Sequence, residues 1–166
     1  MIMKSQLVPA LITFLLLLSC QPAEKKQDMP STSEVKKEPQ NREQEAQELK
    51  DKGYQTFLYK DGDSTYLMQQ YFIVFLRKGT NRNPDSIQAA ELQNMHMQHL
   101  NRMAGEGYSS LTGPMGDDGD IRGVIIYNTP TIKEADSLAK LDPMVMAGRL
   151  KVEVRPWWAA KGGKLN

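Results

Sequence analysis

Cysteine, histidine, aromatic residues and long apolar runs are all scarce in this chain of 166 residues. The single cysteine, Cys20, has no intramolecular partner, so no disulfide framework holds the fold. The apolar run from Leu11 to Leu18, broken only by Thr13, falls far short of the ~20 residues that a membrane-spanning helix needs. Aromatic residues make up 7% of the chain, and none lies between Gln21 and Glu48. An excess of one charge is also missing, because 21 Lys and Arg face 20 Asp and Glu. Nucleic-acid binding leaves a clustered basic footprint. None is visible here, and no nucleic-acid partner is expected.

What is present begins at the N-terminus. Lys4 is the only charge before Cys20, and the short apolar run follows it, which is the pattern of a secretory signal. Its end, Leu17-Leu18-Ser19-Cys20, resembles the lipobox of bacterial lipoproteins. That resemblance implies cleavage after Ser19 and lipidation of Cys20, with several acyl chains holding the protein on a membrane. An ordinary signal peptide with a chance cysteine is the other reading. The expected location is the bacterial cell envelope, at the outer membrane or the periplasmic face. Residues 20–48, dominated by Glu, Lys, Gln, Pro and Ser, are expected to form a disordered tether, because they cannot bury enough apolar surface to order themselves. An ordered start near Glu43 is the alternative. Residues 49–166 make one domain of ordinary size.

Within that domain, Gln55–Tyr59 and Tyr66–Leu76 read as strands around an Asp61-Gly62-Asp63 turn. The run Tyr71 to Leu76 is apolar on both faces, which places it centrally in a sheet. Asn83-Pro84 carries helix-opening chemistry. In the helix that follows, Leu92, Met95, His96, His99, Leu100 and Met103 share one side at 100° per residue. Gly105 and Gly107 close it. Tyr108–Thr112 and Gly123–Asn128 read as strands joined by a Gly-rich acidic loop. Thr131 and Glu134 form a capping box for a helix ending near Leu141. Asp142-Pro143 opens a short turn closed by Gly148, and Leu150–Val154 is the last strand. The expected fold is therefore α+β: a ferredoxin-like βαββαβ antiparallel sheet with two helices on one face, preceded by a hairpin. Its uncovered face, with Phe72, Val74, Ile125 and Val152 as candidates, is expected to pair with a second copy of the chain.

Several separated pieces resemble a known family. They are the apolar strand from Tyr71, His96-Met97-Gln98-His99-Leu100, Gly113-Pro114 with its acidic turn, Ala135, Asp142-Pro143 with Ala147-Gly148, and Pro156-Trp157. Together they are similar to the YCII-related domains, relatives of the dimeric α+β barrel proteins. The resemblance implies dimerisation through the sheets, a cleft between helices and sheet, and a working histidine–aspartate pair. By that resemblance the histidine is His99 and the carboxylate is Asp142. The family includes a dehydrochlorinase of a chlorinated hydroxyquinone. Met115 departs from the common pattern, in which Phe often follows Gly-Pro.

The residues themselves leave more than one reading open. His99 can serve as an acid–base group, because imidazole titrates near neutrality, or as a core histidine bonded to backbone. His96, one turn earlier, can line the cleft as a second polar group. As a pair the two supply only two metal ligands, too few for a zinc site, so neither a metal nor another cofactor is expected. Asp142 can cap the turn at Pro143, orient a histidine, or do both. Asp117, Asp118 and Asp120 lack the ligand ladder of a calcium loop and read as a solvated turn. Trp157 and Trp158 are expected to close the core or a dimer interface. Two functions follow. One is a cofactor-free lyase or isomerase acting on a small cyclic or carbonyl compound; the other is a non-catalytic module binding a small ligand or a protein.

Overall fold

The computed structural model describes residues 39–81, 86–163 and 165. Cys20, the apolar run before it and the Asn83-Pro84 helix start lie outside them. The first described element is a helix, α1 (Pro39–Asp51), which begins inside the stretch expected to be a tether. Its residues are mostly good helix formers, and Ala46 is buried where α1 packs on the hairpin that follows. Packing supplies what the composition of this segment alone does not.

The hairpin pairs β1 (Thr56–Asp61) with β2 (Ser64–Lys78) from Thr56–Gln69 to Asp61–Ser64, and Gly62 takes the positive φ of +55° that the tight turn requires. A long helix, α2 (Ser86–Gly105), leads to β3 (Ser109–Pro114) and β4 (Ile121–Tyr127). Then come α3 (Ile132–Lys140), the single turn α4 (Pro143–Met146) and β5 (Leu150–Ala160). Thr131 caps α3 by accepting the Glu134 N–H at 3.2 Å. All strand pairs are antiparallel. β5 runs along one edge of β2, while β1 and β4 follow each other along the opposite edge, with β3 beyond β4. The order β5-β2-β4-β3 is compatible with a ferredoxin-like arrangement.

β2 buries opposite faces in its two halves. Leu67, Gln69 and Tyr71 are buried in the first half; Phe72, Val74 and Leu76 are buried in the second. Side chains alternate along a strand, so these sets point to opposite sides of the sheet. The first set shares a side with Thr56, whose hydroxyl donates to the Ala46 carbonyl of α1 at 3.2 Å. The second set joins Leu100 and Met103 of α2, Ala135 and Ala139 of α3, and Ile125 and Tyr127 of β4 in the core. Phe72, Val74, Ile125 and Val152 therefore belong to the helix-covered side, not to the uncovered face proposed for them from sequence. Both faces of β2 are apolar, so the pattern could not fix the parity. The opposite side of the second half carries Ile73, Phe75 and Val124, all half-buried, and Leu111, which is exposed.

β5 runs past its expected end through Trp157 and Trp158. They are 43% and 38% exposed, so neither closes the core of this chain. Pro156 is tolerated there because β5 is an edge strand. Trp158 meets Phe57 edge to face at 4.9 Å between ring centres.

Candidate functional site

α2 carries its two histidines inward: His96 is 8% exposed and His99 is 5% exposed. Three residues of helix separate them by about 60° around the axis, enough to give the rings different neighbours. The His96 Nδ1 lies 2.6 Å from Asp142 Oδ2. The other carboxylate oxygen of Asp142, Oδ1, accepts the Met144 N–H at 2.8 Å and so caps α4. Pro143 at the first position of α4 fixes the geometry of that cap. Asp142 is 1% exposed, and a buried carboxylate is tolerable only when its oxygens are engaged, as both are here. The dual use of Asp142 follows the sequence reading, but the imidazole it holds is that of His96 and not that of His99.

His99 is placed differently. Its Nδ1 accepts from Arg102 Nη2 at 3.2 Å, which puts the proton of the neutral ring on Nε2. That Nε2 is buried without a hydrogen-bond partner among the described residues, as is the Tyr127 hydroxyl. Burial pushes the His99 imidazole below the ordinary histidine range; the Asp142 carboxylate opposes the shift, and Arg102 and His96 add to it. Burial likewise pushes the Tyr127 phenol up to about 12, with the Asp142 charge contributing. Both groups are held in their neutral forms.

A cavity of about 510 Å³ opens between α2 and the helix-covered side of the sheet. α2 contributes Gln93, His96, Met97 and Leu100; β3 and β4 contribute Thr112 to Pro114 and Arg122 to Val124. Met144, Arg149 and Leu150 close the far end. Gly79 pins that end. Its N–H donates to the Arg149 carbonyl at 2.8 Å, and a Cβ on Gly79 would collide with the Gly148 carbonyl oxygen. His96 lines the cavity, whereas His99 does not. From sequence, Arg122 beside the β3–β4 loop is by default an exposed strand-edge residue and in the alternative a contact for an anionic ligand. The cavity lining includes it, together with Gln93 and Arg149, which the sequence reading does not single out. Among the described residues, no cluster of three or more His, Cys, Asp or Glu side chains is arranged to hold a metal ion.

The family model for the YCII-related domain matches residues 73–158. The chain belongs to that family. The match runs from the second half of β2 to Trp158 in β5 and contains α2, the cavity and Asp142, so the whole candidate site lies inside the YCII-related domain, while α1, β1 and the first half of β2 precede it. No curated protein matches the chain well enough to count as a relative. A solved structure that it resembles is 5-chloro-2-hydroxyhydroquinone dehydrochlorinase from Burkholderia phenoliruptrix AC1100, in complex with 2,5-dihydroxybenzoquinone. The identity is 23% and the TM-score 0.38, covering 52% of this chain and 92% of that one.

In this YCII-related domain, the fixed pieces of the site are the α3–α4 junction and one face of α2. The end of α3 and the start of α4 deliver a carboxylate whose rotamer is set by its cap. α2 delivers an imidazole whose Nδ1 that carboxylate holds. The remaining ring nitrogen, Nε2, has no protein partner among the described residues. An Nδ1–H donated to an ionised Asp142 leaves a lone pair on Nε2, which can take a proton from a molecule in the cavity.

Proposed function

We propose that the protein is a cofactor-free acid–base enzyme of the lyase or isomerase type, acting on a small cyclic or carbonyl compound with an acidic C–H or O–H. The observation that carries this reading is the 2.6 Å contact between His96 and Asp142 on the wall of the 510 Å³ cavity. His96 Nε2 takes the proton, and the imidazolium that forms is stabilised by Asp142, which also fixes the tautomer. Returning the proton at another atom gives an isomerisation; departure of a leaving group gives an elimination. The domain works as a dimer, paired through the face that carries Ile73, Phe75, Val124 and Leu111, in the manner of the dimeric α+β barrels. Its location is the cell envelope, through a lipid on Cys20. These last two readings rest on the apolar character of that face and on the lipobox-like Leu17 to Cys20.

The test follows proton exchange rather than a product. Full-length protein is incubated in D₂O with a panel of hydroxyquinones, lactones and cyclic diketones, and C–H exchange is read by NMR. Wild type is expected to accelerate exchange of at least one compound, and His96→Asn to slow it by about 10²- to 10⁴-fold. Asp142→Asn keeps an N-cap acceptor of the same shape and is expected to lose up to about 10⁴-fold, because it no longer holds the productive tautomer. His99→Asn should stay close to wild type. Exchange that is indifferent to His96→Asn, with the compound still bound, would instead make the domain a binding module.

A further inference from the structure

The helix wall of the cavity supplies a base, the sheet wall supplies a cation, Arg122 from β4, and the far end supplies another, Arg149 just before β5. Arg122 is the more informative of the two. Its guanidinium contacts Asp118 Oδ1 at 3.1 Å, the Asp117 carbonyl at 3.4 Å and the Gly119 carbonyl at 3.5 Å. All three contacts use Nη1. The Nε and Nη2 edge makes no hydrogen bond among the described residues. Asp118 is a weak competitor for this charge, since its side chain is fully exposed and a surface pair contributes little. The acidic tip of the β3–β4 loop thus steadies Arg122 from one side without occupying the fork that receives planar oxyanions.

We propose that this cavity takes a small planar oxyanion (an enolate, phenolate or carboxylate) on the Nε/Nη2 edge of Arg122. The inference builds on the acid–base reading of the site and narrows its substrate class. An arginine lining the same cavity as a general base would hold the negative charge that proton removal creates, which is where electrostatic stabilisation is most effective.

The test uses two probes of one shape: 1,3-cyclohexanedione, an enolate near neutral pH, and its neutral methyl enol ether. Calorimetric titration of the full chain is expected to show salt-sensitive binding of the enolate, with the ether weaker. Arg122→Gln should weaken the enolate by about 10- to 100-fold and leave the ether unchanged. Arg122→Lys, which keeps the charge but loses the fork, should fall between wild type and Arg122→Gln, and it serves if the glutamine variant does not fold. Asp118→Asn should leave enolate affinity equal or raised, while shifting the salt dependence. Equal affinity for both probes, an enolate affinity untouched by Arg122→Gln, or no saturable enolate binding up to about ten millimolar overturns the proposal. The two readings fail separately. Loss of proton exchange in His96→Asn with Arg122 variants unaffected removes the anion site alone. Charge-selective binding together with exchange that ignores His96 removes the base alone.

Discussion

At the scale of single residues, the site turns on which of two imidazoles a carboxylate selects. His96 and His99 lie on one side of α2, and nothing in their spacing says which of them meets Asp142. That choice depends on the rotation of α2 about its own axis, which is set by Leu100 and Met103 settling into the core. The consequence for His99 is a stability effect rather than chemistry. Its folded-state pKa is lowered, chiefly by burial, so folding favours the neutral ring. The stability this gives is fully present above the unfolded value of about 6.5 and is lost as pH falls through that value toward the depressed folded one. Asp142, Arg102, His96 and Glu106 are the charged or titratable groups that act on the ring. His99→Leu removes the titration and gives up only the hydrogen bond from Arg102. Urea midpoints between about pH 7 and pH 5 are therefore expected to fall more steeply for wild type than for His99→Leu. Parallel slopes would mean that His99 does not titrate across folding.

At the scale of elements, β2 explains both what the sequence made legible and what it hid. The hairpin turn at Gly62, the Thr131 cap and the Asp142-Pro143 start of α4 are local signals, each carried by one or two residues with a specific backbone task. They were legible for that reason. The facing of β2 was not, because its apolar residues serve two layers in succession. α1 covers one side of the first half, and α2 and α3 cover the other side of the second. A segment without aromatic residues gave little sign that it would supply a covering helix. Where α1 stops, Ile73, Phe75 and Val124 continue the same side only half-buried, beside the exposed Leu111. Four apolar side chains in adjacent strands fit the self-complementary patch that a two-fold dimer needs. Phe75→Glu places a charge in that patch while leaving the helix-covered core intact. Light scattering after gel filtration is expected to show a dimer for wild type and a monomer for the variant. A wild-type monomer at micromolar concentration would remove the dimer.

At the scale of the whole molecule, the proposed envelope location requires something to hold the domain at a membrane. No helix among the described residues is long and apolar enough to cross one. The charge balance of 21 basic against 20 acidic residues offers little general attraction to anionic headgroups. The proposal places that attachment in the N-terminal segment, where Cys20 is the one side chain suited to carry a thioether-linked lipid. A single acyl chain holds a protein only marginally, so stable retention implies more than one chain on that residue. Cys20→Ser is therefore expected to move the protein from a carbonate-resistant membrane fraction to the soluble fraction. Proton exchange by the released protein should be unchanged, because His96, Asp142 and Arg122 all belong to the matched domain at residues 73–158. Persistent membrane association of the serine variant would assign the anchoring to another part of the chain. Lost exchange on release would tie the cavity to the membrane, and the compounds it binds would then be sought among those that partition into lipid.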